Sequence, residues 1–150
     1  MNTPPDFKLT YHWAAPTVRP PLHYEYTITI GPGALGEIDY RPDYPNHNPP
    51  QWVEKFEIEP ATLNTLASLL DSRHVFDGTW NLRSPSFVGG EQAWLDATAN
   101  GKQASVPAGL TAGNTAKIQP VYNAVRALVP QGIWDKLEAQ RQAYISSQSH

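Results

Sequence analysis

The chain has no cysteine. Disulfides, thiolate metal sites and cysteine nucleophiles are therefore excluded together. It also has no run of lysine or arginine. Eleven basic residues stand against fourteen acidic ones, scattered, for a formal net charge of −3. That leaves no electrostatic footprint for nucleic acid. The five tryptophans and seven tyrosines could stack bases, but stacking without a basic groove is a poor argument for it. No apolar run approaches the roughly 20 residues that span a bilayer. The first residues carry neither a positive n-region nor an apolar h-region, so they do not read as a signal peptide. The expectation is one soluble, cytoplasmic domain over residues 1–150, with no nucleic acid, no membrane and no cofactor.

Proline is what the chain has in excess. Fifteen in 150 residues is about twice the usual ~5% share. The prolines fall between periodic segments and punctuate short elements. The clearest of these segments is residues 22–30, Leu-His-Tyr-Glu-Tyr-Thr-Ile-Thr-Ile. Leu22, Tyr24, Tyr26, Ile28 and Ile30 share one parity, and His23, Glu25, Thr27 and Thr29 the other. Strand side chains alternate between faces, so this predicts a central strand with a dry face and a polar face.

Residues 6–13 repeat the pattern with Phe7, Leu9, Tyr11 and Trp13 inward. Gly31-Pro32-Gly33-Ala34-Leu35-Gly36 reads as a hairpin loop, since no Lys-Ser/Thr follows to make it a phosphate cradle. A short strand at 37–41 follows, with Ile38 and Tyr40 inward. Residues 51–59 give a fourth strand, where Glu54 interrupts the apolar face and predicts an edge or bulge. Pro60 opens a helix whose stripe is Leu63, Leu66, Ala67 and Leu70. In the irregular stretch 75–88, Phe76, Trp80, Leu82 and Phe87 are expected as core plugs.

Residues 91–106 form a hairpin about Asn100-Gly101, the preferred type I′ turn. Counting outward pairs Ala99 with Lys102, Ala97 with Ala104 and Leu95 with Val106. Thr98 with Gln103 and Asp96 with Ser105 share the polar face. Residues 107–114 read as a connection. Ile118, Val121, Tyr122, Val125, Leu128 and Val129 mark a helix in which Pro120 should lie in the first turn or kink it. Pro130 opens a last helix. The class is α+β: an antiparallel sheet of about five to six strands, packed on one face by a short helix and a C-terminal helical hairpin.

No catalytic motif stands out. There is no Gly-x-Ser-x-Gly elbow and no His-Glu-x-x-His. The histidines at 12, 23, 47, 74 and 150 show no helical i,i+4 pair, and no metal is assigned. His23 and Glu25 share a strand face, and His12 could lie opposite them if the first two strands pair. Long polar or aromatic loops favour binding. The residues proposed for a ligand or partner are Tyr44 and His47 in the proline-bounded loop, with Trp80, Arg83 and Trp94 around the irregular stretch. The first functional expectation is a non-enzymatic module that binds a protein partner or forms a homodimer. The second is a small-molecule binding protein or metal-independent hydrolase. Its pocket would lie between sheet and helices, lined by Tyr24, Tyr26, Trp80 or Trp94, with His23 or Glu25 within reach.

Overall fold

Alternating side chains organise the molecule. In the computed structural model, which describes residues 3–84 and 90–148, each alternating segment is a strand with one face buried. The strands are β1 (Lys8–Ala14), β2 (Glu25–Gly31), β3 (Leu35–Arg41), β4 (Trp52–Glu57), β5 (Gln92–Ala99) and β6 (Lys102–Val106). They form one antiparallel sheet in the order β4-β3-β2-β1-β5-β6. The helices are α1 (Pro60–Ser72), α2 (Ala112–Leu128) and α3 (Gln131–Gln148). The class is α+β, as the segregation of strands from helices requires.

The dry face carries Leu9, Tyr11, Tyr26, Ile28, Ile30, Ile38, Tyr40 and Leu95 into a continuous core with Leu66, Leu70, Ile118, Val125 and Leu137 from the helices. A buried side chain of that size contributes about 1.5–3 kcal/mol relative to exposure, so the face sets which way each strand turns. In the β5–β6 hairpin every expected pair is present, from Ala99 with Lys102 to Leu95 with Val106. Asn100 and Gly101 both have positive φ, 54° and 74°, as a type I′ turn requires. The Asp6 carboxylate accepts from both turn amides at 2.8 Å. Those two bonds hold its carboxyl below the ordinary value.

Glu54 has a specific explanation. β4 is a sheet edge, and the Glu54 carboxylate pairs with Lys136 of α3. The charge thus ties the edge strand to the helix above it.

Three details differ from the sequence reading. The second strand begins at Glu25, and Leu22 is 41% exposed. The ladder's last bond is from Ala15 N–H to the Tyr24 carbonyl, 3.0 Å, after which the chain leaves the sheet. Leu82 is 62% exposed; a bridge to Leu110 holds it at the surface. Phe87 lies outside the described residues. α2 starts at Ala112 because Thr111 caps it, its hydroxyl accepting from Asn114 N–H at 3.3 Å. Pro120 is therefore inside the helix, well past the first turn.

Candidate functional site

Register builds an aromatic row on the dry face. Trp13 lies opposite Tyr26, Tyr26 opposite Tyr40, and Tyr40 opposite Trp52, across four neighbouring strands. Directly opposed residues are close enough for rings to interact. The rings run nearly parallel, with centroids 5.3, 6.2 and 5.8 Å apart in that order. Tyr24 joins the row by stacking on Tyr40 at 5.6 Å.

Where α2 turns into α3, the helices do not close over this row. A cleft of about 450 Å³ remains. Its floor is Tyr24, Tyr26 and Tyr40; its other wall is Arg126, Gln131, Trp134, Asp135 and Glu138. Trp134 meets Tyr26 edge-on at 5.1 Å, and its indole N–H donates to the Arg126 carbonyl at 3.2 Å. That bond fixes the ring across the corner between the helices. The wall is dry. Burial pushes the Tyr26 phenol up to about 12, and raises Tyr24 and Tyr40 as well. All three stay neutral donors at neutral pH.

Arg126 is half-buried in this wall. Its guanidinium donates to Asn123 Oδ1 at 2.8 Å, and the residue lines the cleft with the Tyr26 phenol. Burial opposes its charge. Against that, Tyr26 and Tyr11 favour the charge once they ionise in strong alkali, and the net direction is upward. Arg141 caps the cleft's end by lying over the Tyr24 ring, 4.3 Å from the centroid. It pairs with Glu138 at 3.2 Å.

A second cluster lies on the polar face at the same end of β2. The pairing of β1 with β2 sets Ala14 opposite Glu25 and His12 opposite Thr27. Glu25 then bridges two imidazoles, 3.2 Å from His12 Nε2 and 2.8 Å from His23 Nε2. An ionised carboxylate only accepts, so both Nε2 atoms carry protons. His12 Nδ1 takes the remaining bond with Thr27 Oγ1 at 2.9 Å. His23 is 4% exposed, with Nδ1 buried and unpartnered. Both His12 nitrogens are engaged, and the one unpartnered nitrogen, His23 Nδ1, is buried away from solvent. Among the described residues no group of three His, Asp or Glu side chains could hold a metal ion.

The residues singled out in the sequence divide between places. Tyr44, His47 and Trp94 gather on the polar-face cluster. Tyr44 stacks on His23 with centroids 3.9 Å apart, and His47 meets Tyr44 edge-on. Trp94 stacks on His12 at 5.5 Å. Asp43 anchors the loop from a nearly buried position. It accepts from Tyr44 N–H at 2.7 Å and from the Tyr144 hydroxyl at 3.0 Å.

Trp80 and Arg83 lie apart, against the start of α2. Lys117 sits 4.5 Å over the Trp80 ring, and Arg83 N–H donates to the Gly109 carbonyl at 2.8 Å. Of the residues expected in a pocket between sheet and helices, Tyr24 and Tyr26 line it. Trp80 and Trp94 do not, and Glu25 lies on the opposite face because neighbouring strand residues alternate.

Tyr40, Arg126 and Trp134 were not singled out as site residues from the sequence. Arg126 did leave a signal. It lies four residues after Tyr122 and three before Val129, where the apolar stripe of α2 should continue.

No protein-family model matches the chain, and no curated protein is similar to it in sequence. Function is therefore read from the chemistry of the sites.

Proposed function

We propose that this protein binds a small molecule in the cleft between the sheet and the corner of α2 and α3. The observation that carries the proposal is the open space of about 450 Å³ over three tyrosine rings, with a half-buried arginine in its wall. Ligand sites are concave and largely apolar, with a few placed polar groups, in the range of about 300–1,000 Å³. An unfilled gap over large aromatic rings forfeits packing that a helix side chain could have supplied. A ligand would restore it.

A thermal-shift screen against common metabolites tests this, with amide NMR shifts locating each hit. A ligand that binds only the folded state at a hundred times its dissociation constant adds about 2.7 kcal/mol. Hits should perturb Tyr26, Tyr40 and residues 126–138. Hits that perturb only other regions, or a flat screen, would overturn the proposal.

A protein partner or second copy is the alternative reading. It is favoured by the two open sheet edges, β4 and β6, and by exposed Val53 on the β4 edge. An edge strand can accept another strand. Light scattering across a concentration series decides the self-association arm; a monomer throughout removes it.

A further inference from the structure

Charges around the cleft are neutralised in pairs with one inner exception. Glu54 has Lys136, and Glu138 has Arg141. Arg126 hydrogen-bonds Asn123, which is neutral, and among the described residues it makes no ion pair. Glu91 acts on it only through space; that carboxylate is engaged by the Trp13 indole N–H at 3.0 Å. A half-buried guanidinium in an aromatic wall is a strong fork for a carboxylate, because charge-assisted paired bonds gain strength where water is scarce. The facing surface is a floor of stacked phenol rings, suited to a flat ring lying parallel or edge-on. Asp135, the remaining acid of the wall, is exposed on the rim. Water screens it there, and it accepts from Gln131 Nε2 at 3.0 Å.

We infer that the ligand of this cleft is an aromatic carboxylate, its carboxylate on the Arg126 guanidinium and its ring on the floor of Tyr24, Tyr26 and Tyr40. This rests on the small-molecule reading above and narrows it to one chemical class. Arg126 selects the anion, and the phenol floor selects the ring.

Phenylpropionate and indole acetate are the probes, compared with phenylpropionamide, which lacks the charge, and propionate, which lacks the ring. Binding to the full chain is followed by calorimetry and by amide shifts. Both aromatic carboxylates should bind, with the amide about tenfold weaker or more for one lost charged contact and propionate about tenfold weaker or more for the lost ring burial. Arg126→Gln should remove the preference for carboxylate over amide, and Arg126→Lys should keep part of it. Unchanged near-UV circular dichroism establishes that each variant is folded. Equal binding of the amide in the cleft would overturn the carboxylate assignment and leave the cleft as a site for neutral ligands. No binding of either aromatic acid would overturn the assignment. Binding that perturbs neither Tyr26 nor residues 126–138 would overturn both it and the cleft.

Discussion

Gly36 offers a test in which the sign alone is decisive. It sits inside β3, paired with Ile30 on one side and Phe56 on the other. A Cβ built there would overlap the Phe56 ring at Cε2 and Cζ, with Cδ2 at 3.0 Å. Its φ is not in the left-handed region, so the backbone would accept alanine. On propensity alone, Gly36→Ala should therefore stabilise the protein by about 0.5–1 kcal/mol. Sterics oppose this. Phe56 is 7% exposed and belongs to the core. If the ring stays, overpacking costs about 1–3 kcal/mol. If it swings out, lost burial costs about 1.5–3 kcal/mol.

Both routes exceed the propensity gain, so the net expectation is a loss of about 1–2 kcal/mol. For a chain of this length that lowers Tm by about 2–8 °C. The assay is thermal and urea unfolding of the wild type, Gly36→Ala, Phe56→Ala and the double variant. In the Phe56→Ala background the clash is gone, and Gly36→Ala should become neutral or stabilising. The coupling between the sites should then fall within the roughly 0.5–3 kcal/mol seen for residues in contact. A wild-type or raised Tm for Gly36→Ala alone, or strict additivity, would refute the idea that this glycine is required by the ring above it.

Glu25→Ala leaves two imidazole N–H groups without an acceptor. It should lower stability by about 1–3 kcal/mol in thermal unfolding, and an unchanged Tm would show that the bridge holds nothing together. His23→Phe should be tolerated better than Glu25→Ala in the same assay. It keeps the stack on Tyr44 while removing a buried nitrogen that has no partner. Alkali should unfold the protein. Burial raises the phenols of Tyr11, Tyr26, Tyr40 and Tyr122. The folded state holds these protons more tightly than the unfolded chain, so the stability they contribute is complete below about pH 10. It is lost as pH rises from there through about 12, the value for Tyr26. Tyrosinate absorbance should therefore lag in the native state and rise together with unfolding; early, non-cooperative ionisation of all tyrosines would contradict it.

Local signals carried most of the fold. The Asn100-Gly101 turn and the alternation beside it dictate the register of β5 and β6, because both signals act over a few residues and agree. Alternation also identified the inward residues of β1, β2 and β3, and the Leu63 to Leu70 stripe identified α1. Where the reading failed, a distant contact prevailed. Leu22 continues the parity of β2, yet the chain has left the sheet by then, and Tyr44 from another loop covers His23 instead. Residues 107–114 read as a connection, but the Thr111 cap starts α2 at Ala112, so of the two places open to Pro120, the first turn or the helix interior, it takes the interior.

The candidate sites divide along the same line. Sequence alone determined which residues were available: a strand with His23 and Glu25 on one parity and Tyr24 and Tyr26 on the other, and a charged Arg126 interrupting an apolar stripe. It determined, through the missing cysteines, that disulfide and thiol chemistry is closed. Only the tertiary structure decided the neighbours. The pairing of β1 with β2 and of β2 with β3 and β4 lines up Trp13, Tyr26, Tyr40 and Trp52, and brings His12 to Glu25. The corner between α2 and α3 leaves a cleft over those rings and sets Arg126 in its wall. The physical reason is range. Periodicity and turn chemistry report on a few neighbouring residues, whereas ring stacks, the carboxylate bridge and the cleft join residues from four strands and two helices.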